Sequence, residues 1–284
     1  MTRAGIHSTA VVEDGAAIAA DVEVGPFCYV GRGARIGPAC RLLRAVTILG
    51  NTSVGSRNLF HPYCVIGGDP QDFKYRGEDS ETIIGNDNVF RENVTVNKGT
   101  SVAGNRTVIG NRNYLMACSH IAHDSVIEDE CVLANQVLLA GHIRIETGAV
   151  LSGQVAVHHF VSIGRYSFVG GCSRINQDVP PYMIVQGFDG AVHGVNTIGL
   201  RRRSYPSAAI NALREAHRLL WRSGRPKSEA LSLLESKNGV LPEIRILIDF
   251  LRASDRGRMG RALEARRPAP LVPVPAAEDE DEAP

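Results

Sequence analysis

The chain is short of bulky side chains. Among 284 residues there is a single Trp, and aromatic residues make up only 6%. A core built from large interlocking rings is therefore excluded, and 29 glycines point instead to many small, regular layers. Charge of either sign is in no excess. Lys plus Arg (31) against Asp plus Glu (30) leaves a formal +1, so there is no global electrostatic footprint for nucleic acid or a membrane surface. No stretch reaches the ~18 consecutive apolar residues of a membrane span. The opening segment, MTRAGIHSTA, lacks the roughly 7–15 apolar residues of a secretory signal. The expectation is a cytosolic location, with no nucleic-acid partner and no stable membrane insertion. The six cysteines (Cys28, Cys40, Cys64, Cys118, Cys131, Cys172) contain no CxxC pair, which argues against a disulfide framework and a zinc ribbon. They read as reduced, small, buried side chains.

What is present is a period of six. Ile6, Val12, Ile18, Val24, Val30, Ile36, Leu42, Ile48, Val54, Phe60 and Ile66 follow one another without a gap. Ile84, Phe90 and Val96 resume the count, and a second unbroken block runs from Ile109 through Leu115, Ile121 and Ile127 to Ile175. Six fits neither a helix nor a plain alternating strand. It suits a two-residue strand, a corner and another strand, with one aliphatic side chain inward per side. Three sides close a coil of eighteen residues, and coils stacked as parallel strands at ~4.8 Å give about nine turns in a prism roughly 40 Å long. The predicted fold class is mainly β: a parallel β-helix over residues 1–190, with polar, Gly-rich inserts at 68–81 and 97–107 thrown out as loops. The repeat is expected to end at Asp178-Val-Pro-Pro-Tyr182, where consecutive prolines remove strand donors. An α-helical region is predicted over 191–260. Its first helix would be capped by Ser207, carry Ile210, Leu213, Leu220 and Trp221 on one stripe, and stop at Gly224; two more would run from Ser228 to Ser236 and from Pro242 to Ala253. Residues 261–284, ending in PAPLVPVPAAEDEDEAP, read as a disordered tail.

The eighteen-residue coil also predicts neighbours. Adding 18 to Asp124 gives His142, so the two should stand one above the other, about 5 Å apart. By the same count His123 lies beside Gly141, while His158 and His159 follow one coil on and His120 occupies the preceding position. Five of nine histidines and one carboxylate thus converge on one patch. A single corner histidine is usually just solvated; convergence over three coils favours chemistry. A neutral imidazole with an ordinary pKa near ~6.5 accepts a proton at pH 7, and an adjacent carboxylate fixes its tautomer. The pair suits general-base activation of a hydroxyl or amine, with the Gly141 N–H as oxyanion donor. A three-histidine zinc site is the competing chemistry, and spacing leaves it open.

Ser119-His-Ile-Ala-His-Asp124, Leu139-Ala-Gly-His142, Ala156-Val-His-His-Phe160, Val169-Gly-Gly-Cys-Ser173 and Gln177-Asp-Val-Pro-Pro-Tyr182 closely resemble the UDP-N-acetylglucosamine acyltransferases, which carry out the first acylation of lipid A synthesis. Pro70-Gln-Asp-Phe-Lys-Tyr75 and Gly199-Leu-Arg-Arg-Arg203 extend the resemblance to about residues 5–255. It implies a left-handed coil, a homotrimer with active sites between prisms, and transfer of a 3-hydroxyacyl group from acyl carrier protein to the sugar 3-position. No cofactor, metal or acyl-enzyme is implied. His123 matches the general base, Asp124 its orienting partner and Gly141 the oxyanion donor. His120, His142 and His158 match residues that position substrate. Asp72 and Lys74 match the loop that holds the glucosamine; Asn196, Arg202 and Arg203 match residues near the nucleotide; Gly171 matches the floor of the groove that measures acyl length. Departures stand at His159 (Gln is familiar there), Asp189 and Asn97 (His at both). Arg201 to Arg203, Arg218, Arg222, Arg225 and Lys227 form a basic region suited to an acidic carrier protein. The rivals are the N-acyltransferase of the same pathway, a zinc hydratase and a non-enzymatic scaffold.

Overall fold

A computed structural model describes residues 5–236 and 240–266. From Val11 to Ile175 the chain winds as a three-sided parallel β-helix of strands two to four residues long. Among the described residues, nine strands from Val11–Val12 to Arg174–Ile175 form one face, and eight from Ala17–Ile18 to Ser162–Ile163 form a second. Ten strands, from Glu23–Val24 to Ala191–Val195, form the third. The inward hexad position makes the core. Val30, Ile48, Ile66, Val96, Ile121, Leu139, Val157 and Ile175 stack in one column, none more than 3% exposed. Each contributes about 1.5–3 kcal/mol of burial. Corners are made by backbone in the left-handed region, as at Phe27, Ala39, Ala45, Asn51, Arg57 and Tyr63, with φ between 48° and 66°. At roughly 1–2 kcal/mol for each non-glycine residue, these corners persist because the layers above and below fix them.

The two inserts leave the register intact. Val65 pairs with Thr95, thirty residues on, and Thr95 with His120, twenty-five on; coils without an insert keep a spacing of eighteen as far as Ile175, as in His120 with Leu138. The inserts therefore add twelve and seven residues. The loops themselves span 69–80 and 98–105, because Gly68, Glu81, Asn97, Arg106 and Thr107 already lie in strands. A ladder of buried amides runs down one corner through both offsets. Asn88 Nδ2 donates to Asn58 Oδ1 (3.0 Å) and Gly110 O (2.9 Å), and Asn88 Oδ1 accepts from the Asn113 N–H (2.8 Å).

The prolines do not end the prism. Pro180 and Pro181 fall in a corner, where no ladder donor is lost, and Met183–Gln186 stacks on Phe168–Val169 in a coil shortened to sixteen residues. A hairpin to Ala191–Val195 then adds one antiparallel strand, which the hexad count did not foresee. Helices α1 (Thr197–Arg202), α2 (Ser207–Trp221), α3 (Lys227–Glu235) and α4 (Pro242–Arg256) follow. Their core joins Tyr182, Met183, Leu200, Leu213, Leu231, Leu247 and others. Ser207 is the first helical residue of α2 rather than its cap: Pro206 holds the cap position and no side chain caps it. The predicted tail starts too early. Asp178 accepts from the Ser162 N–H (2.7 Å), Ser254 Oγ (2.7 Å) and the Ala262 N–H (2.8 Å), while Arg261, 4% exposed, donates to Asn176 O (2.7 Å). These bonds seat a short 3-10 helix, Ala262–Arg266, against the last coil. Residues 267–284, the remainder of the predicted tail, lie outside the described residues.

Asn88→Ala would orphan the Asn113 N–H and Gly110 O and leave Asn58 Oδ1 with only the residue-88 backbone N–H as donor. At roughly 1–3 kcal/mol per buried unsatisfied group, we expect a loss of about 2–4 kcal/mol, read as a lower urea midpoint with unchanged slope.

Candidate active site

The corner after strand His120–Ile121 carries Ala122-His123-Asp124-Ser125. Asp124, His142 and Phe160 occupy this corner on three successive coils, each with φ near 60° (60°, 63° and 64°). The coil spacing brings the predicted groups together. His123 Nδ1–H donates to Asp124 Oδ2 at 2.7 Å, which leaves Nε2 as the basic nitrogen. His142 Nδ1 lies 3.8 Å from the same oxygen, and its ring stands edge-on to His123 at 5.1 Å while stacking on Phe160 at 4.5 Å. Gly141 lies under the His123 ring: a Cβ there would meet Cε1 at 2.5 Å. A groove of about 440 Å³ opens beside these groups, lined by His120, His123, Gly141, His158 and His159 at its polar side and by Leu138, Ala156 and Val157 along its length. His120 Nδ1 is held by Thr95 Oγ1 at 2.7 Å.

The electrostatics separate the groups. Burial alone would push the Asp124 carboxyl up, but hydrogen bonds from His123 and from the Thr100 side chain and backbone outweigh it and hold it below the ordinary carboxylate range. Burial pushes His142 down to about 4, against the pull of Asp124. Burial, then His123, lowers His120. The site thus combines one fixed anion with two imidazoles, His120 and His142, biased toward the neutral form.

His123, Asp124 and His142 set three potential ligand atoms within 4.8 Å of one another. Ligand atoms at about 2.0–2.1 Å from a tetrahedral zinc stand about 3.3 Å apart. The 2.7 Å between His123 Nδ1 and Asp124 is a hydrogen bond, too short for two ligands of one such ion.

Gly141 differs from expectation in one respect. Its N–H already donates to His159 Nδ1 (3.1 Å), the residue eighteen places on, so it is a satisfied donor in the free chain. His158 turns its Nδ1 to His159 O (3.1 Å). Asp72 and Lys74 sit in the first insert, where Asp72 Oδ1 accepts from the Lys74 N–H (3.0 Å), and neighbouring Gln71 reaches the groove. The other matched residues stand elsewhere. Gly171 is a corner residue at the far edge of the His120 face, over Gly153 O, and does not line the groove. Asn196 caps α1, its Oδ1 accepting from the Gly199 N–H (3.1 Å) and its Nδ2 donating to Tyr166 O (2.9 Å). Arg203 lies over the Tyr166 ring at 5.3 Å, on the opposite corner of the prism, with Arg202 exposed beside it. Asn97 ties the inserts together through Asp69 O (2.9 Å), and Asp189 closes the hairpin turn onto Ala191 (3.3 Å). In the basic region, Arg225 pairs with Glu229 and Lys227 with Asp255, so their charge is already countered.

Sequence reasoning missed Thr100 and Thr107. The Thr100 N–H and Oγ donate to Asp124 Oδ1 (2.8 Å) and Oδ2 (2.6 Å), and the Asp124 N–H donates to Thr107 Oγ1 (2.9 Å). Thr107 lies seventeen residues before Asp124 and was within reach of the coil count. Thr100 sits inside an insert, where no period applies.

A stacked-coil β-helix with a His–Asp pair over a glycine amide in a lateral groove defines a hexapeptide-repeat acyltransferase. Residues 178–259 match the family model described as UDP-N-acetylglucosamine O-acyltransferase, domain 2. A UDP-N-acetylglucosamine acyltransferase from Bacteroides fragilis superimposes with a TM-score of 0.84 at 39% identity, covering 87% of this chain and 96% of that one. The Moraxella catarrhalis O-acyltransferase gives 0.83 at 42%, covering 86% and 95%, and the Francisella novicida enzyme 0.84 at 35%, covering 87% and 91%. The chain belongs to the UDP-N-acetylglucosamine acyltransferase family, is an acyltransferase, and has that family's left-handed β-helix with C-terminal helices.

Gly141→Ala places a methyl inside the His123 ring envelope, so the folded variant should lose about 100-fold or more in kcat, measured with secondary structure checked by circular dichroism. Because His142 stays neutral above about pH 4, His142→Gln should lower kcat/KM yet leave the midpoint of its acid limb between pH 5 and 8 unmoved.

Proposed function

We propose that the chain transfers a 3-hydroxyacyl group from acyl carrier protein to the 3-hydroxyl of UDP-N-acetylglucosamine, the first step of lipid A synthesis. The observation that carries the mechanism is the 2.7 Å His123–Asp124 bond set over Gly141 at the mouth of an apolar groove. His123 Nε2 removes the proton from the sugar hydroxyl as its oxygen attacks the thioester carbonyl. Asp124 holds the tautomer and stabilises the imidazolium. The carbonyl oxygen, becoming an oxyanion, takes the Gly141 N–H from His159. Collapse expels the carrier thiolate, which regains the proton from His123, and no acyl-enzyme, metal or cofactor takes part. The acyl chain lies along Leu138 and Ala156. His120, His142 and His158 position the reacting ends, and Asp72 with Lys74 holds the glucosamine.

Asn196, Arg202 and Arg203 are read as the nucleotide side, with the guanidinium forks suited to a diphosphate. They stand on another corner of the prism from His123, so a single copy would not bring both to one substrate. Homotrimers with the site between prisms reconcile the two positions, in line with the resemblance. The cytoplasm, where acyl carrier protein and nucleotide sugar meet, is the proposed location. The described residues hold no helix long and apolar enough to cross a membrane.

The test is a purified assay with acyl carrier proteins of several chain lengths. Transfer to UDP-N-acetylglucosamine should survive chelator and fall about 10²- to 10⁴-fold in His123→Ala. No transfer at any chain length would remove the reading, and chelator-sensitive turnover would favour zinc.

A further inference from the structure

The second insert does more than pass over the site. Lys98 N–H donates to Gly68 O (2.9 Å) and Gly99 N–H to Glu81 O (3.3 Å); Asn105 N–H returns to Thr100 O (3.0 Å). A Cβ on Gly99 would fall 2.1 Å from Arg106 N, so the turn closes this tightly only without a side chain there. Lys98 pairs with Asp69 of the first insert at 2.9 Å. These anchors drive Thr100 inward until it is 3% exposed, against an Asp124 side chain that is 0% exposed. Both Thr100 donors are then spent on that carboxylate, one on each oxygen. A buried carboxylate needs such donors, and two from one residue fix its plane as well as its charge.

We propose that Thr100 is a positioning residue of the active site: its N–H and Oγ–H, delivered by the insert, orient the Asp124 carboxylate that steers His123. The proposal rests on the general-base reading above. The Thr100 hydroxyl shares Oδ2 with His123 Nδ1, so it sets how strongly that oxygen holds the imidazole. The other titratable groups facing the pair are His120, His142, His159 and Asp72; burial pushes His142 down to about 4 and lowers His120 from its ordinary value. Removing the hydroxyl should leave the carboxylate turned from its line to Nδ1 and bearing a less dispersed charge. The first effect slows the chemical step, and the second favours the neighbouring imidazolium.

Thr100→Val keeps the shape and the backbone bond. Expected are a fall in kcat of about 10-fold or more with KM for both substrates unchanged, and an acid limb moved up by about half a pH unit. Thr100→Ser should restore both. A role confined to folding would lower the unfolding midpoint without moving the limb. Should the Val variant not fold, the series Thr100→Ser, Thr100→Cys and Thr100→Ala grades donor strength at one site, and kcat should follow it. Wild-type kcat and limb in folded Thr100→Val, or equal kcat for Ser and Cys, would overturn the proposal while His123→Ala remains inactive. Activity retained in His123→Ala would instead remove the general-base reading and this proposal with it.

Discussion

The hydrogen-bonded stacking of one coil on the next governs everything else in this molecule. Strand N–H groups bond the coil after them, as Leu138 does to Val155 O at 2.9 Å, corner residues such as His142 bond back to the coil before, here to His123 O at 3.0 Å, and inward aliphatic side chains pack on their counterparts. A residue added inside a strand would turn an entire coil inside out. Additions survive only at corners and must return to register, which both inserts do. The same constraint explains how a chain with so few aromatic residues holds a core: stacking multiplies small contacts. It also explains why non-glycine residues at positive φ are tolerated so often. A corner that repeats on every coil is held from both sides, and its strain is offset by the bonds of its neighbours.

This rigidity has an electrostatic use. A carboxylate in the wall of the prism cannot relax toward water, so its charge is supported by donors fixed in place, and two of these come from a loop outside the repeat. The imidazoles around it are treated oppositely: they are desolvated without enough compensating charge, and those at His120 and His142 are driven toward the neutral form. One wall thus keeps an anion charged and biases His120 and His142 toward the neutral form, a division that follows from where hydrogen-bond donors are and are not supplied.

What could be read from the sequence was what the period reaches. The count of eighteen placed Asp124 against His142 and His123 against Gly141, and the same count contains the Gly141–His159 bond. It stopped at Pro180-Pro181 because a proline pair reads as an end to donors; in three dimensions a corner needs none. It also could not find Thr100, whose position depends on how a seven-residue excursion folds back, a matter of local turn chemistry rather than periodicity. Beyond the repeat α2, α3 and α4 were legible from their apolar stripe, with ends off by no more than three residues, while the six-residue α1 was not expected. The hairpin was not, since five residues against an existing sheet edge carry no period of their own.

His159 shows how a resting site and a working site can share one donor. An amide left bare in an apolar groove would cost about 1–3 kcal/mol. A glycine N–H aimed permanently at an empty oxyanion position is therefore a liability unless something occupies it. A neutral imidazole nitrogen at 3.1 Å satisfies the amide, yet it is uncharged and sits on a side chain that can turn about χ1 and χ2. In the proposed reaction, exchanging it for a thioester oxygen would trade one neutral acceptor for another, so substrate binding would give up little. As negative charge develops on that oxygen the trade turns favourable, because a charged acceptor holds an N–H about twice as strongly as a neutral one. On the proposed mechanism the gain would therefore arrive in the transition state rather than the ground state, where it would lower the barrier.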